Sequence, residues 1–320
     1  MFVDMPEADL RQYRSSQSDP SDFDSFWAET LASTRRFDLA VEVIPVDTGL
    51  KTLDVFDVTF SGYEGQRVKA WLRVPHDATG PLATIVQFQG YGGGRARPLD
   101  DLLWASAGYA HLLVDTRGQG SAWGGGGTPD PDGSGPAYPG FMTRGIDSRE
   151  TYYYRRVFTD AVRAVEAARS LDVVDENRVS VLGGSQGGGI TLAVAGLVEG
   201  LVGVFPRVPF LCDFPRSTVF TDSSPYKEIG NYLAVHREKA VAVHEVLPYF
   251  DGVNFSRRAT APAWFTTALM DNTCPPSTVF GAFNEYRGEK EITVWPYNGH
   301  EGGGVYDDEA TLAILNGMDN

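Results

Sequence analysis

The chain has 320 residues, of which 42% are hydrophobic and 22% are charged, a composition typical of a globular protein. Its formal net charge of -15 argues against nucleic acid as a partner, because phosphates need a basic surface, and it favours a neutral substrate. With no secretory leader, no apolar run of membrane-spanning length and only two cysteines, the sequence leads us to expect a cytoplasmic protein without membrane partners.

The sequence consists of apolar runs, which indicate helices and strands, separated by turns rich in glycine and proline. The predicted elements are, in chain order, a helix over residues 21–33 capped by Ser21 or Asp22, a hairpin of strands 53–60 and 67–74, a strand at 84–88, a short helix at 99–106, a strand at 110–114, a helix at 148–170, strands at 179–182 and 202–205, a strand at 263–269, a helix at 276–286, a strand at 291–295 and a helix at 306–315. Two of the runs, 84–88 and 110–114, are predominantly apolar and predict buried strands.

Strand and helix alternate from residue 84 onward, which predicts a mostly parallel central sheet with helices on both faces. We expect a single α/β domain over residues 1–320, with an N-terminal extension of helix and hairpin up to about residue 75. Residues 121–140 predict a long loop that lines a site or an interface. Residues 206–250, after the sixth predicted strand, predict an insertion over the sheet edge, helical over 229–247, that serves as a lid or a subunit contact.

The sequence around Ser185 predicts an activated nucleophile. An apolar run at 179–182 leads into Gly183, Ser185 and Gly187, and a helix of small residues follows over 188–197. A G-x-S-x-G turn between a strand and a helix is typical of the nucleophile elbow, which points the serine hydroxyl out of the sheet. Side chains at the two glycines would collide with the neighbouring strand and helix. The alternative is a glycine-rich turn that carries an ordinary serine.

Chain order and strand-end position select the base. In α/β-hydrolases the serine is followed by the acid and then by the histidine, and ligands bind beyond the carboxyl ends of the strands. His300 follows the last predicted strand in a glycine-rich loop. The other four histidines do not fit: His76 precedes the elbow, His111 begins its strand, and His236 and His244 fall in the insertion.

The same rule selects Asp271 as the acid that orients the base, because it directly follows the strand predicted at 263–269. Three other aspartates between serine and histidine belong to the insertion or its exit: Asp213, Asp222 and Asp251. Asp115 also ends a strand, but it precedes the elbow. We expect it, with Arg117, to hold a loop in place.

An oxyanion hole needs two N–H donors. Gln186, directly after the serine, is predicted to supply one, and Tyr91, in the glycine-rich loop 89–94 after an early strand, the other. The alternative for that loop is a plain turn. No metal or cofactor is expected: His244 and Glu245 lack the second histidine of an H-E-x-x-H site, and the loop lacks the glycine spacing of a dinucleotide site.

Several motifs together resemble carbohydrate esterase family 7, the acetyl xylan esterase and cephalosporin-C deacetylase group of the α/β-hydrolase superfamily. They are Arg117 with Gln119, the glycine-rich stretch 183–189, His300 with Glu301, and the stretches 138–145 (beginning at Tyr138), 208–212, 249–255 and 271–276. The resemblance spans nearly the whole chain. It implies a triad of Ser185, Asp271 and His300, with oxyanion donors at Tyr91 and Gln186.

The same resemblance implies release of acetate from acetylated xylo-oligosaccharides, other small acetylated sugars and cephalosporin C. It further implies an intracellular hexamer built as a trimer of dimers. Tyr91, Pro225 and Thr273 would lie near the acyl pocket, where the family often has a larger apolar residue at position 273. A general short-chain carboxylesterase, a peptidase of related fold and a non-catalytic binding protein are the alternatives. We also expect the aromatic residues of 121–140 and 206–250 to be covered by neighbouring subunits.

Overall fold

The computed structural model describes residues 2–132, 135–136 and 139–318, so Tyr138 and part of the long loop at 121–140 lie outside the described residues. Nine strands in the described part form one sheet with the spatial order β1-β2-β3-β5-β4-β6-β7-β8-β9. Their bounds are β1 Glu42–Val46, β2 Leu53–Ser61, β3 Arg67–Pro75, β4 Leu82–Phe88, β5 Ala110–Val114, β6 Val174–Gly184, β7 Leu201–Arg207, β8 Ala263–Ala268 and β9 Lys290–Trp295.

The sheet is antiparallel at one side and parallel across the rest. Strands β1, β2 and β3 pair antiparallel, and β3 joins β5 in the same way. From β5 through β4, β6, β7 and β8 to β9, every pair is parallel. The mostly parallel sheet predicted from the alternation of elements is therefore present, and its carboxyl ends form one continuous rim.

The α-helices of the described residues are α1 Glu7–Leu10, α2 Phe23–Thr34, α3 Leu103–Ser106, α4 Tyr153–Arg169, α5 Gln186–Leu197, α6 Phe214–Phe220, α7 Tyr226–Val235, α8 Ala240–Val246, α9 Gly252–Ser256, α10 Pro276–Glu285 and α11 Val305–Met318. Successive residues of β4 point to opposite faces of the sheet. Val86 belongs to the large core that includes α4 and α5, whereas Ile85 packs with Trp104 of α3 and Leu315 of α11. Helices therefore cover both faces, as predicted.

The insertion at 206–250 differs from its prediction in four respects. It follows the seventh strand, because β1 was not predicted, and its helices begin at α6 rather than at residue 229. It emerges between β7 and β8, which are interior strands, so it covers the carboxyl rim rather than a lateral edge. Most of its aromatic side chains are buried within the chain itself; Phe250, for example, packs against Trp27 and Tyr152 with ring centroids 5.7 and 4.9 Å apart.

Two helix starts also differ from the sequence-based expectation. Helix α2 begins after Asp22, but the Asp22 carboxylate accepts hydrogen bonds from Arg149 and Tyr249 instead of capping the helix. Helix α4 begins at Tyr153 rather than at residue 148, because the preceding residues form successive turns, among them the bond from Thr151 N–H to the carbonyl of Ser148. The core contacts of α4 therefore start with its buried tyrosines.

Candidate active site

Ser185, His300 and Asp271 lie together at the carboxyl rim of the sheet. Ser185 stands between β6 and α5, His300 follows β9, and Asp271 follows β8. The distance from His300 Nε2 to Ser185 Oγ is 2.9 Å, and the distance from His300 Nδ1 to Asp271 Oδ2 is also 2.9 Å. With the proton on Nδ1, His300 donates to the carboxylate and accepts from the serine hydroxyl, the arrangement that a general base requires.

The turn that carries Ser185 is strained and closely packed. Ser185 has φ +56° and ψ -119°, outside the regions that L-residues favour. A Cβ at Gly187 would lie 2.2 Å from the carbonyl oxygen of Phe88 on β4, and one at Gly183 would lie 2.4 Å from the backbone of Gly187. Both positions require glycine for the reason predicted from the sequence. The close approach lets α5 begin directly beneath the serine.

This packing predicts a matched pair of outcomes. Gly187→Ala should lower the free energy of unfolding by about 3 kcal/mol or more, because the new methyl group overlaps a backbone carbonyl that no side-chain rotation can move. Gly184→Ala should change it by less than about 1 kcal/mol, because an added Cβ there meets no atom within 4 Å. Urea unfolding of both variants measures the difference. Equal stability of the two would contradict the packing described for the turn.

Asp271 is fully buried, and its two carboxylate oxygens have separate partners. Oδ2 accepts from His300, whereas Oδ1 accepts from the backbone N–H groups of Thr273 and Cys274 at 2.8 and 2.9 Å. These two backbone donors fix the plane of the carboxylate, so the carboxylate in turn fixes the imidazole. Among the histidines set aside, His111 is buried against Gln87, and burial lowers its pKa to about 3.

Asp271, Cys274 and His300 place potential metal-ligating atoms within 4.8 Å of one another. Their contacts suit a triad better than a metal. Both ring nitrogens of His300 are already engaged with Ser185 and Asp271. Burial and the nearby Asp271 carboxylate raise the pKa of the Cys274 thiol, so the thiolate that a metal would need is disfavoured.

The two expected oxyanion donors have backbone N–H groups without a hydrogen-bond partner among the described residues. Gln186 is the first residue of α5, where the first N–H groups of a helix have no intrahelical acceptor. Tyr91 lies in the loop after β4 and lines the cavity that also contains Ser185. Two free N–H groups, one directly after the serine in the chain and one in a loop that lines the same cavity, suit a developing negative charge.

A buried pair of glutamines, Gln119 and Gln186, connects the loops that carry these two donors, a contact that no sequence pattern predicted. Gln119 Nε2 donates to Gln186 Oε1 at 2.8 Å, and Gln119 Oε1 accepts from the Gly92 N–H at 2.8 Å. Gln186 Nε2 donates to the Gln89 carbonyl at 3.2 Å. The elbow and the Tyr91 loop are therefore held at a fixed separation. The only sequence clue was the position of Gln119 within one of the family motifs.

The Tyr91 side chain is held from a different direction. Its hydroxyl donates to Glu228 Oε1 of α7 at 2.7 Å, and Met142 N–H donates to Glu228 Oε2 at 3.1 Å. Burial raises the pKa of Glu228 above its ordinary value. One carboxylate thus joins the insertion, the end of the long loop and the candidate oxyanion loop. A separation of 137 residues between Tyr91 and Glu228 leaves no pattern in the sequence that could have predicted the contact.

Asp115 holds the loop around residues 115–128 in place, as expected. Arg117 contributes through a partner of its own. The Asp115 carboxylate accepts from the backbone N–H groups of Arg95, Gly127 and Thr128 at 2.7 to 3.0 Å. Arg117 instead forms a buried bidentate ion pair with Asp160. The loop around residues 115–128 is thereby attached to the backbone beside the candidate site.

A cavity of about 630 Å³ opens above Ser185 and His300. Tyr91, Pro225 and Thr273, the three residues expected near the acyl group, all line it. The structure thus brings every site residue predicted from the sequence to one place. Asp271 is hydrogen-bonded to His300, and Gln186 directly follows Ser185 in the chain. The other five line the cavity: Tyr91, Ser185, Pro225, Thr273 and His300. In the part of the chain that the structure describes, no helix is long and apolar enough to cross a membrane.

The comparison with protein families decides the classification. A family model described as acetyl xylan esterase matches residues 1–317. The chain belongs to the acetyl xylan esterase family. The predicted resemblance is thereby confirmed, and the acetyl xylan esterase family is one of carboxylic ester hydrolases.

Solved structures of acetyl xylan esterases confirm the predicted fold. The enzyme from Paenibacillus sp. R4 is 37% identical, with a TM-score of 0.92 over 98% of this chain and 99% of that chain. Acetyl xylan esterase 1 from Thermoanaerobacterium sp. JW/SL YS485 is 31% identical, with a TM-score of 0.90 and the same coverage. An acylaminoacyl peptidase from Pyrococcus horikoshii is 18% identical, with a TM-score of 0.56 over 79% of this chain and 39% of that chain, and shares the fold alone.

A curated relative is acetyl esterase Axe7A of Xylanibacter ruminicola, which is 29% identical over 298 residues. The match covers 88% of this chain but only 63% of the length of that relative. It adds a third esterase to which this acetyl xylan esterase family member is similar.

Proposed function

We propose that the chain is a serine esterase that removes acetyl groups from small acetylated carbohydrates, such as xylo-oligosaccharides, and from cephalosporin C. The observation that carries the proposal is the pair of 2.9 Å hydrogen bonds that links Ser185 to His300 and His300 to Asp271 beside an open cavity. Membership of the acetyl xylan esterase family, and similarity to proteins named as acetyl xylan esterases and an acetyl esterase, support acetyl esters as the substrate class.

The geometry supports an acyl-enzyme mechanism. Ser185 Oγ attacks the acetyl carbonyl carbon while His300 Nε2 takes the hydroxyl proton. The negative charge that forms on the carbonyl oxygen accepts hydrogen bonds from the N–H groups of Tyr91 and Gln186. His300 then gives its proton to the departing sugar oxygen, which leaves as a hydroxyl. A water molecule, deprotonated by the same Nε2, attacks the acetyl-serine, and acetate leaves as His300 returns the proton to Ser185 Oγ.

Substrate turnover tests the proposal directly. The purified protein should hydrolyse p-nitrophenyl acetate and release acetate from acetylated xylobiose and cephalosporin C, and it should leave a peptide p-nitroanilide intact. Octanoyl esters should react more slowly than acetyl esters, because Pro225 and Thr273 line the cavity and are proposed to bound the acyl group. Comparable rates on acetyl and butyryl esters would favour a general short-chain carboxylesterase. Peptidase activity, or ligand binding without turnover, would refute the assignment.

We further propose a single-domain protein that assembles in the cytoplasm as a hexamer, a trimer of dimers. Exposed apolar side chains on the insertion, Val219, Val235 and Val241, support a subunit contact there, although the buried aromatic residues of the insertion do not. Two buried free thiols, Cys212 and Cys274, suit a reducing compartment. Light scattering measures the assembly, and a monomeric mass would refute this part of the proposal.

A further inference from the structure

The cavity above Ser185 has much more space than an acetyl group needs. Its volume of about 630 Å³ lies within the range of roughly 300–1,000 Å³ found for pockets that bury drug-sized ligands. An acetyl group has three non-hydrogen atoms, so most of this space faces the alcohol half of the ester. The side chains on that space therefore determine which alcohols the site accepts.

Trp123 stands out among the residues that line this cavity. It comes from the long loop, and 62% of its surface is exposed, although tryptophan is among the costliest side chains to leave in water. Its indole N–H donates to the carbonyl of Tyr91 at 2.8 Å. The ring is therefore anchored to the candidate oxyanion loop, directly beside the reacting groups, and presents apolar surface to the cavity.

The indole of Trp123 packs against glycines of the oxyanion loop. A Cβ at Gly93 would lie 2.2 Å from Cζ2 of Trp123, and one at Gly90 would lie 3.3 Å from the same atom. The six-membered ring thus packs directly on the loop backbone, in space that a side chain at Gly93 would fill. Packing on one side and the hydrogen bond to Tyr91 hold the ring in one orientation while its remaining surface stays open.

The polar residues of the cavity complement this ring. Gln87 and Asp101 line the same cavity, and their side chains approach each other with the amide nitrogen 3.5 Å from a carboxylate oxygen. The Gln87 amide is already bonded to Trp104, His111 and Asp101, so the exposed carboxylate of Asp101 is the group that can accept from the hydroxyls of a sugar. An aromatic face bordered by hydrogen-bonding groups fits a molecule that has apolar C–H faces and a polar rim, which describes a pyranose ring.

We infer that Trp123 is the platform on which a sugar ring of the leaving group stacks, and so a specificity-determining residue of the site. The inference rests on the proposed function. Pyranose C–H groups carry partial positive charge and face the negative π-surface of the indole, while the sugar hydroxyls point outward to the carboxylate of Asp101. A ring held there places its acetylated hydroxyl beside Ser185, so the stacking favours sugar acetates over acetates of simple alcohols.

Two variants and two substrates test the inference. We compare kcat/KM for acetylated xylobiose with kcat/KM for ethyl acetate, which has no ring. In Trp123→Ala the ratio of the two should fall by about tenfold, which corresponds to 1.4 kcal/mol of lost discrimination. In Trp123→Phe, which keeps an aromatic face, the ratio should stay within about threefold of wild type. Free xylobiose should inhibit ethyl acetate hydrolysis with a Ki raised about tenfold in Trp123→Ala only.

The two variants together separate stacking on the aromatic ring from the hydrogen bond that the indole N–H donates to Tyr91. Both variants lose the hydrogen bond to the Tyr91 carbonyl, so any disturbance of the oxyanion loop should slow both substrates in both variants and cancel from the ratio. An unchanged ratio in Trp123→Ala would overturn the sugar platform, and a simultaneous fall in mass by light scattering would identify Trp123 as a subunit contact instead. If the wild-type protein releases acetate from neither ester, the proposed function itself fails.

Discussion

Ser185→Ala should lower the rate of p-nitrophenyl acetate hydrolysis by about 10⁵- to 10⁶-fold, the loss typical when a serine hydrolase loses its nucleophile. The fold should remain intact, because alanine keeps the Cβ and removes only a hydroxyl that contacts the side chains of His300 and Cys274. Steady-state hydrolysis and the unfolding midpoint, measured on the same preparation, separate a loss of chemistry from a loss of structure.

Ser224 provides the matched control, since it is the other serine that lines the cavity. Its hydroxyl has no histidine partner among the residues that the structure describes, so Ser224→Ala should retain activity within about tenfold of wild type. If Ser185→Ala kept wild-type turnover, or if Ser224→Ala abolished it, the nucleophile would be misassigned.

Asp271→Asn should cost about 10⁴-fold in kcat, the magnitude known for this change in a serine protease triad. The neighbouring backbone explains why the loss should be large here. Thr273 and Cys274 both direct their N–H groups at Oδ1, so an asparagine would turn its carbonyl oxygen toward them and its NH₂ toward His300. His300 would then accept at Nδ1 and carry its proton on Nε2. In that tautomer it cannot take the proton of Ser185.

Asp222→Asn is the control for the loss of a carboxylate in general. Asp222 is one of the aspartates that the sequence offered as an alternative acid, and the structure places it in an exposed pair with Lys227. Exposed ion pairs contribute little, so activity and stability should both remain near wild type. A value of kcat within tenfold of wild type for Asp271→Asn would show that another group orients the base.

The strands beneath the site were predictable because they are buried. Residues 110–114 are apolar except for His111 and form β5 with the predicted bounds, and the run at 84–88 lies within β4. Strand β1, in contrast, was not predicted although residues 43–46 are apolar. Its residues are exposed or half-buried, and it exists through backbone pairing with β2. The run shows no alternation of apolar and polar residues, and Pro45 argues against any strand other than an edge strand.

In the site too, local sequence patterns predicted some features, whereas contacts between residues far apart in the chain were not predictable. The positions of Ser185, Asp271 and His300 follow from chain order and strand ends, which the sequence displays. The contacts of Gln119 with Gln186 and of Tyr91 with Glu228 join residues 67 and 137 positions apart, and such contacts depend on packing rather than on any local pattern. The expectation of exposed aromatic residues in the insertion was wrong for a related reason. Composition shows that these side chains are apolar but not which neighbours bury them.

The hydrogen bonds of Glu228 matter for anyone who wants to engineer the substrate range. Shortening the insertion would look like a simple way to admit bulkier esters, since Pro225 forms part of the cavity wall. The same segment also supplies the carboxylate that holds the Tyr91 side chain, so a deletion would widen the entrance and loosen the catalytic loop together. Redesign is better confined to single side chains such as Thr273, which line the cavity without supporting that loop. Loop grafting between related enzymes would need to carry the tyrosine and the glutamate as one unit.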